Sequence, residues 1–298
     1  MDVIHTENLT KRYGTQFGLR ALNLSVSEGQ VFGFLGPNGS GKTTMIRLLL
    51  GLLRPTEGRA TIRGMDCWRR SRDVKGEVGY LPGDLRLYPW MNARNGLRIV
   101  GQIRRRDLRA PGMELVDRFE LDPDVRVRNM SRGMRQKLGL ILALAHRPKV
   151  VILDEPTSSL DPPMQQALYA HIRERAAQGA TVFFSSHTLS EVDDLCDRVA
   201  ILRAGELVEN DSLANMRARA ARLVTLDWQE GAAERVGDLP DVIRVLERRG
   251  NRWTCELTGG ATDFIQWAAT QALDDLTIGP PDLEHLFKQY YHDEDADS

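Results

Sequence analysis

A glycine-rich segment near the start of the chain has the composition of a phosphate-binding loop. Residues 36–43 read Gly-Pro-Asn-Gly-Ser-Gly-Lys-Thr and fit the pattern G-x-x-x-x-G-K-[ST], after an apolar run and before a helical pattern. Such a backbone can curl until its N–H groups point at phosphate oxygens, and the N-terminus of the next helix adds partial positive charge. Lys42 can reach the β- and γ-phosphates, and the Thr43 hydroxyl can ligate Mg²⁺. A chance glycine-rich turn explains this match poorly, so the segment predicts a nucleoside triphosphate site.

A second group of chemically active residues follows the apolar run at residues 150–153. The run ends in two carboxylates, Asp154 and Glu155. Asp154 would hold Mg²⁺ through its water shell, and Glu155 could orient and deprotonate an attacking water. In isolation two solvated acids at a strand end would explain the pair equally well, but downstream of a phosphate loop the catalytic interpretation is favoured. A glutamate directly after the magnesium aspartate also favours hydrolysis over transfer to an alcohol.

Three more segments narrow the class of nucleoside triphosphatase. Residues 131–137 (SRGMRQK) precede the acidic strand, residues 158–161 (SSLD) follow it, and residues 185–187 (SSH) end a later apolar run. They resemble, in order, the signature motif (usually LSGGQ), the D-loop and the switch-histidine segment of ATP-binding cassette (ABC) proteins. The resemblance covers roughly residues 3–210 and implies an ABC ATPase that uses ATP and Mg²⁺.

The resemblance also assigns roles to single residues. Tyr13, in the run LTKRYG, matches the aromatic position on which adenine stacks. In the family two cassettes pair head to tail around two ATP molecules, which implies that Ser131 and Gly133 contact the γ-phosphate in trans. Asp161 would couple the two sites of such a homodimer. The residues assigned to ATP binding in the phosphate loop are Gly36, Pro37, Asn38, Gly39, Ser40, Gly41, Lys42, Thr43 and Thr44.

Three residues are assigned to catalysis: Lys42, Glu155 and His187. The first two follow from the chemistry of the phosphate loop and the acidic strand end. The role of His187 follows from the resemblance, which implies that it senses the γ-phosphate and helps to hold Glu155 and the water. A lone histidine at a strand end is more often structural, but its position after the run FFSS favours the switch role.

Two segments depart from the family pattern. In the signature, Arg132 replaces the first glycine and Met134 the glutamine, whereas the serine and the second glycine are kept. After Gly79-Tyr80-Leu81-Pro82 the family usually has a glutamine, which ligates Mg²⁺ and links to the membrane partner, but this chain has Gly83 and then Asp84. Glycine offers no side-chain ligand, so either Asp84 joins Thr43 and Asp154 at the metal or water completes the magnesium shell.

The composition excludes several classes of protein. Apolar residues make up 42% and charged residues 27% of the 298 residues, and the formal net charge is −1. These are values of an ordinary globular protein, without a bulk electrostatic argument for a nucleic-acid partner. The three cysteines have neither metal-ligand nor disulfide spacing, which fits a reducing cytosol. We expect neither a signal peptide nor a membrane span, because no apolar run approaches about 20 residues.

Short apolar runs alternate with helical patterns up to about residue 210. The runs are typical of strands buried on both faces of a parallel sheet, and the order predicts an α/β core with its ligand at the carboxyl ends of the strands. Residues of about 83–146 are more polar and form a predicted helical insertion. The predicted strands are 30–35, 150–153, 181–185 and 199–202, and the predicted helices are 42–53, 164–178 and 189–196.

The pattern changes near Asp211. A strand–helix–strand–strand–helix–strand order follows, which is the ferredoxin-like order. We therefore expect an ABC nucleotide-binding domain over residues 1–212, a small C-terminal α/β domain over residues 220–292 and an acidic tail over residues 293–298. The strands of the small domain are predicted at 222–228, 242–247, 253–258 and 276–278, with helices at 232–239 and 262–273.

Residues 85–97 bear on the partner of the cassette. They resemble the drug- and antibiotic-exporter branch, in which this surface faces a separate permease. Aromatic side chains and methionine are enriched at interfaces, so an exposed run from Tyr88 to Met91 (Tyr-Pro-Trp-Met) would suit docking, and a buried loop cluster is the alternative. Nearby arginines either approach lipid headgroups or form a solvated helix face. These arginines are Arg98, Arg104, Arg105, Arg106 and Arg109.

Three functions compete at this point. The favoured one is an exporter ATPase, peripheral at the cytoplasmic face of a membrane and bound to separate permease subunits. An importer ATPase would share the catalytic residues but usually carries the glutamine that Gly83 replaces. A soluble ABC protein acting on DNA or ribosomes usually has a long coiled coil or two cassettes. Residues 280–291 also resemble exporter ATPases, although a helix packing its own core explains their apolar positions as well.

Overall fold

The secondary structure follows from a computed structural model that describes residues 2–237, 239–284 and 286–287. The chain divides into two compact units, Met1–Asn210 and Asp211–Ser298. Among the described residues no helix has both the length and the apolarity to cross a bilayer. The strands are β1 Asp2–Tyr13, β2 Gln16–Ser27, β3 Val31–Leu35, β4 Glu57–Ile62, β5 Met65–Asp66, β6 Val78–Leu81, β7 Val150–Asp154, β8 Thr181–Ser186, β9 Arg198–Arg203, β10 Glu206–Ser212, β11 Arg222–Trp228, β12 Ile243–Arg249, β13 Arg252–Leu257 and β14 Leu273–Pro281. The helices are α1 Lys42–Leu49, α2 Ser71–Glu77, α3 Ala93–Arg104, α4 Arg109–Arg118, α5 Arg132–Leu144, α6 Pro162–Ala177, α7 Leu189–Leu195, α8 Leu213–Arg219 and α9 Thr262–Ala268.

A six-stranded sheet forms the centre of the first unit, in the order β10-β9-β3-β8-β7-β6. The pairs β9–β3, β3–β8, β8–β7 and β7–β6 are parallel. Every residue of β3, β7 and β8 is buried, as expected for apolar strands covered on both faces. The predicted α/β core is therefore confirmed, and its parallel strands bring their carboxyl ends to one edge of the sheet.

A second, antiparallel sheet in the first unit was not predicted. Its order is β2-β1-β4-β5, and β1 and β2 form a long hairpin with several register shifts. Ile4, Leu22 and Ile62 from this sheet pack in the same buried cluster as Phe32 and Met45. The alternation of buried and exposed residues in β2 is a recognisable strand signal.

The stretch between β6 and β7 is fully described and contains no strand. Helices α3, α4 and α5 are joined by loops and a short 3₁₀ turn, Val127–Asn129. Asn92 and Asn95 form a capping box at the start of α3, and Ser131 caps α5. These caps satisfy N–H groups that would otherwise lack partners in the first helical turn.

The second unit contains a four-stranded antiparallel sheet in the order β12-β13-β11-β14. In chain order this is a 2-3-1-4 arrangement, the strand order of the ferredoxin-like fold. Trp228, Trp253 and Phe264 are buried at its core. The helix predicted over 232–239 is wrong, because the described residues of this segment form a 3₁₀ turn, Ala233–Arg235, and no α-helix. The helix predicted over 262–273 ends at Ala268, and the predicted tail lies outside the described residues.

Candidate functional site

The glycine-rich segment connects β3 to α1 at the carboxyl edge of the central sheet. Two of its glycines adopt left-handed backbone angles, with φ of 83° at Gly39 and 112° at Gly41. A Cβ atom at Gly41 would lie 2.4 Å from the carbonyl oxygen of Gly18, so the loop cannot hold a side chain there. Gly36 donates its N–H to the Ser186 carbonyl at 3.3 Å, which fixes the loop to β8.

Lys42 lies inside this loop and is only 5% exposed. Its Nζ atom donates hydrogen bonds to the carbonyl oxygens of Gly36 at 2.6 Å and Pro37 at 3.1 Å. The same atom lies 3.5 Å from Oε1 of Glu155. The structure therefore brings the predicted phosphate-binding cation and the predicted base together.

Asp154 lies at the end of β7 and is 3% exposed. One of its carboxylate oxygens accepts a hydrogen bond from Thr43 Oγ1 at 3.3 Å, and the other accepts from Ser185 Oγ at 2.6 Å. Burial, assisted by the negative charge of Asp154, raises the pKa of Tyr80 to about 12. Ser185 was not predicted as a site residue, because its contact depends on the β7–β8 register that pairs it with Asp154.

Glu155 follows Asp154 in a left-handed conformation, with φ of 48°. Its N–H donates to two atoms of Ser185, the carbonyl oxygen and Oγ, each at 3.2 Å. Its Oε2 atom lies 3.4 Å from Nδ1 of His187, a half-exposed side chain. The Glu155 carboxylate, with oxygens near both Lys42 and His187, can accept a proton from a water molecule at the sheet edge.

Glu191 links the residue that precedes the D-loop segment to the switch-histidine segment, and it was missed by the sequence analysis. Its carboxylate accepts a hydrogen bond from Thr157 Oγ1, at 2.6 Å, and another from Ser186 Oγ. Thr157 follows the acidic strand end, and Ser186 precedes His187. The contact could be suspected only from the position of an acidic residue in the first turn of α7.

Tyr13 lies beside the start of α1 and is 47% exposed. Its hydroxyl is 3.5 Å from Thr44 Oγ1, and a Cβ atom at Gly18 would lie 2.7 Å from the Tyr13 ring. An exposed aromatic ring therefore lies next to the phosphate loop. Its position is compatible with stacking on a planar base.

Ser131, Gly133 and Asp161 lie at the starts of two helices. Ser131 Oγ accepts from Met134 N, and Asp161 Oδ1 accepts from Met164 N, each at 3.1 Å. A Cβ atom at Gly133 would lie 2.8 Å from the Ser159 carbonyl oxygen, so the signature and D-loop segments touch. Within the described part of the chain no hydrogen bond or ion pair joins these three residues to the phosphate loop.

The Gly83–Asp84 departure lies next to the acidic strand end. A Cβ atom at Gly83 would be 3.4 Å from Oδ2 of Asp154. Asp84 is exposed, and its carboxylate accepts hydrogen bonds from Arg86 Nε at 3.0 Å and Arg86 Nη2 at 2.9 Å. The backbone of Gly83, but not a ligand-bearing side chain, thus occupies the position beside Asp154.

The predicted docking run is exposed only in part. Tyr88 and Trp90 are 66% and 51% exposed, and their rings stack with centroids 5.7 Å apart. Met91 was expected at the surface, but it is 7% exposed. One member of the arginine group, Arg104, does not belong to a solvated face. Its guanidinium donates to backbone carbonyls, among them those of Gly76 and Val78.

A phosphate loop follows the buried strand β3, and the acidic end of β7 lies at the same edge of the sheet, with β8 between the two strands. This arrangement defines a P-loop nucleoside triphosphatase of the α/β class. Residues 19–158 match the ABC transporter family. The chain is 33% identical over 300 residues to a daunorubicin resistance ATP-binding protein of Streptomyces coeruleorubidus, covering 95% of this chain and 94% of that one. It is 36% identical to the bacitracin transport ATP-binding protein of Bacillus licheniformis, covering 73% and 72%.

Solved structures resemble the same region. One, the ATP-binding subunit of an ABC transporter, has a TM-score of 0.67 and 27% identity, covering 72% of this chain and 92% of that one. Another, the dimeric structure of a bacterial ABC transporter cassette, has a TM-score of 0.61 and 25% identity, covering 70% and 98%. The chain belongs to the family of ABC transporter ATP-binding proteins. The resemblance seen in its motifs is confirmed, and the protein is an ATP-binding ATPase.

Proposed function

We propose that this chain is the ATP-hydrolysing subunit of an exporter, peripheral at the cytoplasmic face of a membrane and coupled to separate permease subunits. The observation that carries the export proposal is the match to the daunorubicin resistance protein, which extends over 95% of the chain and so includes most of the second unit. The similarity to the bacitracin transport protein supports the same branch. The permease, rather than this chain, would select the exported substrate.

In the proposed mechanism three side chains act on ATP. Lys42 binds β- and γ-phosphate oxygens through its ammonium group, exchanging its contacts with loop carbonyls for contacts with the nucleotide. Glu155 accepts a proton from the attacking water. His187, 3.4 Å from Glu155, holds the carboxylate in place and contacts the γ-phosphate.

The acidic strand end fits a magnesium ion. Asp154 and Thr43 provide a carboxylate and a hydroxyl oxygen 3.3 Å apart, and oxygen donors of this type suit Mg²⁺. When bound, the ion would neutralise part of the phosphate charge. Ser185 orients the Asp154 carboxylate from its other oxygen.

A homodimer completes the proposed site. Ser131 and Gly133, at the N-terminus of α5, would present a hydroxyl and a backbone N–H to the γ-phosphate bound by the partner cassette. Asp161 lies at the start of α6 and would connect the two sites. Tyr13 would stack on the adenine of the ATP molecule that is bound by the phosphate loop of its own chain.

The permease would dock near the stacked Tyr88 and Trp90 rings. An apolar groove of about 330 Å³ lies in the same region and contains Leu85 and Leu87. Exposed aromatic rings beside an apolar groove are suited to receive a helix of a membrane protein. The adjacent Gly83 and Asp154 would connect docking with the state of the nucleotide.

Purification of the tagged full-length chain from native membranes tests the proposal. We expect a multi-span membrane protein to accompany the chain, and we expect ATP hydrolysis by the complex to depend on Lys42. Export of cargo from loaded cells, lost in a Lys42→Ala strain, gives the direction. Uptake lost in that strain would support the importer ATPase instead. Recovery of ribosomes without a membrane protein would refute the transport assignment.

A further inference from the structure

A cavity of about 560 Å³ in the first unit has a strongly basic lining that the nucleotide site does not use. We name it the basic cavity and define it by Arg72, Lys75, Arg104, Arg106 and His146. The other lining residues are Gly76 and Ile103, so no carboxylate borders it. An excess of cations around a concave surface attracts anions.

His146 is buried in this cavity with unused polar atoms. The residue is 6% exposed, and neither ring nitrogen has a hydrogen-bond partner. Burial, together with the charge of Arg104, lowers the pKa of His146 to about 4, while the Val78 backbone beside the ring acts in the opposite direction. The neutral ring retains one N–H donor, and a buried donor without an acceptor is costly.

The cations around His146 are of two kinds. Arg104 donates its hydrogen bonds to backbone carbonyls, and its charged side chain forms part of the cavity lining. Arg72, Lys75 and Arg106 are exposed, and among the described residues no carboxylate forms an ion pair with them. Arg106 also donates a hydrogen bond to the His146 carbonyl oxygen at 3.5 Å. Other arginines nearby do have such partners: Arg70 pairs with Asp73, and Arg109 pairs with Asp107.

The basic cavity lies at the opposite edge of the sheet from the phosphate loop. Lys75 and Gly76 precede β6 and His146 precedes β7, whereas Gly83 and Asp154 lie at the carboxyl ends of these strands. A strand of four residues spans about 13 Å, so one ligand of phosphate size cannot occupy both sites. A ligand in the basic cavity would therefore be separate from the nucleotide.

We propose that the basic cavity binds a phosphate-type anion, either a free phosphate compound or the phosphate headgroup of a lipid. The anion accepts a hydrogen bond from the His146 ring and is surrounded by Arg72, Lys75 and Arg106. The proposal does not rest on the export function, because it uses none of the residues of the nucleotide site. Lys75 and Arg104 also line the apolar groove proposed for docking, whereas Arg72, Arg106 and His146 do not.

Nuclear magnetic resonance of the histidine rings tests the proposal on the full chain. Inorganic phosphate is titrated in, and the His146 signals are identified through the His146→Gln variant. These signals report on the cavity even when phosphate also binds the phosphate loop. We expect a saturable shift, with affinity weakened about two- to fivefold by Arg72→Ala or Arg106→Ala. Arg98→Ala, which removes an exposed arginine of α3 outside the cavity, should leave the affinity unchanged.

Vesicle flotation distinguishes the two sources of phosphate. The probes are phosphatidylcholine vesicles with and without phosphatidylglycerol. Capture by the anionic vesicles that is reduced by Arg72→Ala and Arg106→Ala, but not by Arg98→Ala, supports a headgroup site. A response to free phosphate without such capture supports a soluble ligand. The proposal is overturned when the His146 signals do not move and vesicle capture is equal in all three arginine variants.

Discussion

The position of Glu155 depends on contacts with residues that are far from it in the sequence. Its left-handed backbone is fixed by Ser185, and its carboxylate lies near Lys42 and His187. Left-handed angles are unfavourable for a residue with a Cβ atom and persist where surrounding contacts enforce them. At the residue scale, the site depends on how β7 and β8 hold this one side chain.

Glu155→Gln should separate ATP binding from hydrolysis. The amide keeps the shape of the side chain but cannot accept the proton, so we expect hydrolysis to fall by about 10²–10⁴-fold while ATP binding persists. Single-turnover hydrolysis and equilibrium ATP binding measure the two effects. Glu114→Gln is the control, because Glu114 is an exposed partner of Arg147. An unchanged hydrolysis rate would remove Glu155 from the role of base.

Gly83→Gln should be tolerated and should change the requirement for Mg²⁺. The new Cβ atom would lie 3.4 Å from Asp154 Oδ2, and the backbone at Gly83 is not left-handed. We expect the free energy of unfolding to change by less than about 1 kcal/mol. An added amide oxygen near Asp154 should lower the Mg²⁺ concentration for half-maximal hydrolysis. Gly260→Gln, at an open position, is the control; equal magnesium dependence in both variants would contradict the prediction.

At the element scale, the starts of α5 and α6 are each capped by a side chain, and the two segments approach each other through their backbones. Ser131 and Asp161 cap their helices, and Gly133 approaches the Ser159 carbonyl. The two capping residues therefore have local structural roles besides those proposed at the dimer interface. The close approach at Gly133 requires the absence of a side chain.

Gly133→Ala and Gly76→Ala should have opposite effects on stability. The Cβ atom at Gly133 would lie 2.8 Å from a backbone oxygen, so we expect a loss of about 1–3 kcal/mol. At Gly76, in α2, no heavy atom lies within 4 Å, and alanine should stabilise the helix by up to about 1 kcal/mol. Urea unfolding of both variants measures the difference. Equal midpoints would show that the contact at Gly133 relaxes without cost.

Trp90→Ala should weaken permease binding without unfolding the cassette. The ring is half exposed and stacks on Tyr88, so its removal takes apolar area from the surface rather than from the core. Recovery of the permease in detergent measures the effect. Trp68→Ala is the matched control, because Trp68 is 44% exposed at a different cavity. Similar recovery with both variants would argue against this docking surface.

At the scale of the whole molecule, the chain consists of two units with separate cores. The second unit has its own antiparallel sheet, centred on Trp228, Trp253 and Phe264. All the residues proposed to act on ATP belong to the first unit. A change in the core of the second unit should therefore leave nucleotide binding intact.

Trp228→Ala should destabilise the second unit selectively. Trp228 is 2% exposed and packs against Trp253 and Trp267, with ring centroids 5.0 and 6.2 Å away. Loss of such a buried ring costs about 3–5 kcal/mol. Hydrogen exchange should accelerate in residues 222–281 and remain unchanged around the phosphate loop. Leu246→Ala, at a 52% exposed position of the same sheet, should have little effect. A uniform increase in exchange would mean that the two units unfold together.

The sequence by itself determined the ATPase class, four of the six strands of the central sheet and most of the candidate site residues; β6 and β10 were not predicted. Phosphate binding requires glycines and a lysine at fixed spacing, and buried parallel strands require consecutive apolar residues. Both features are therefore recognisable from short stretches of sequence. The four strands of the second unit were also predictable in this way. The structure of residues 232–239 was not predictable in this way: the apolar spacing there favours a helix, but a 3₁₀ turn, Ala233–Arg235, forms instead.

Only the tertiary structure decided which distant residues meet. Ser185 reaches Asp154 through strand register, Glu191 bridges two segments, and Gly83 lies beside Asp154 because parallel strands end at one edge. Met91 is buried although the preceding Trp90 is 51% exposed. These contacts depend on long-range packing and register, whose energies are shared among residues far apart in the chain, so no local pattern specifies them.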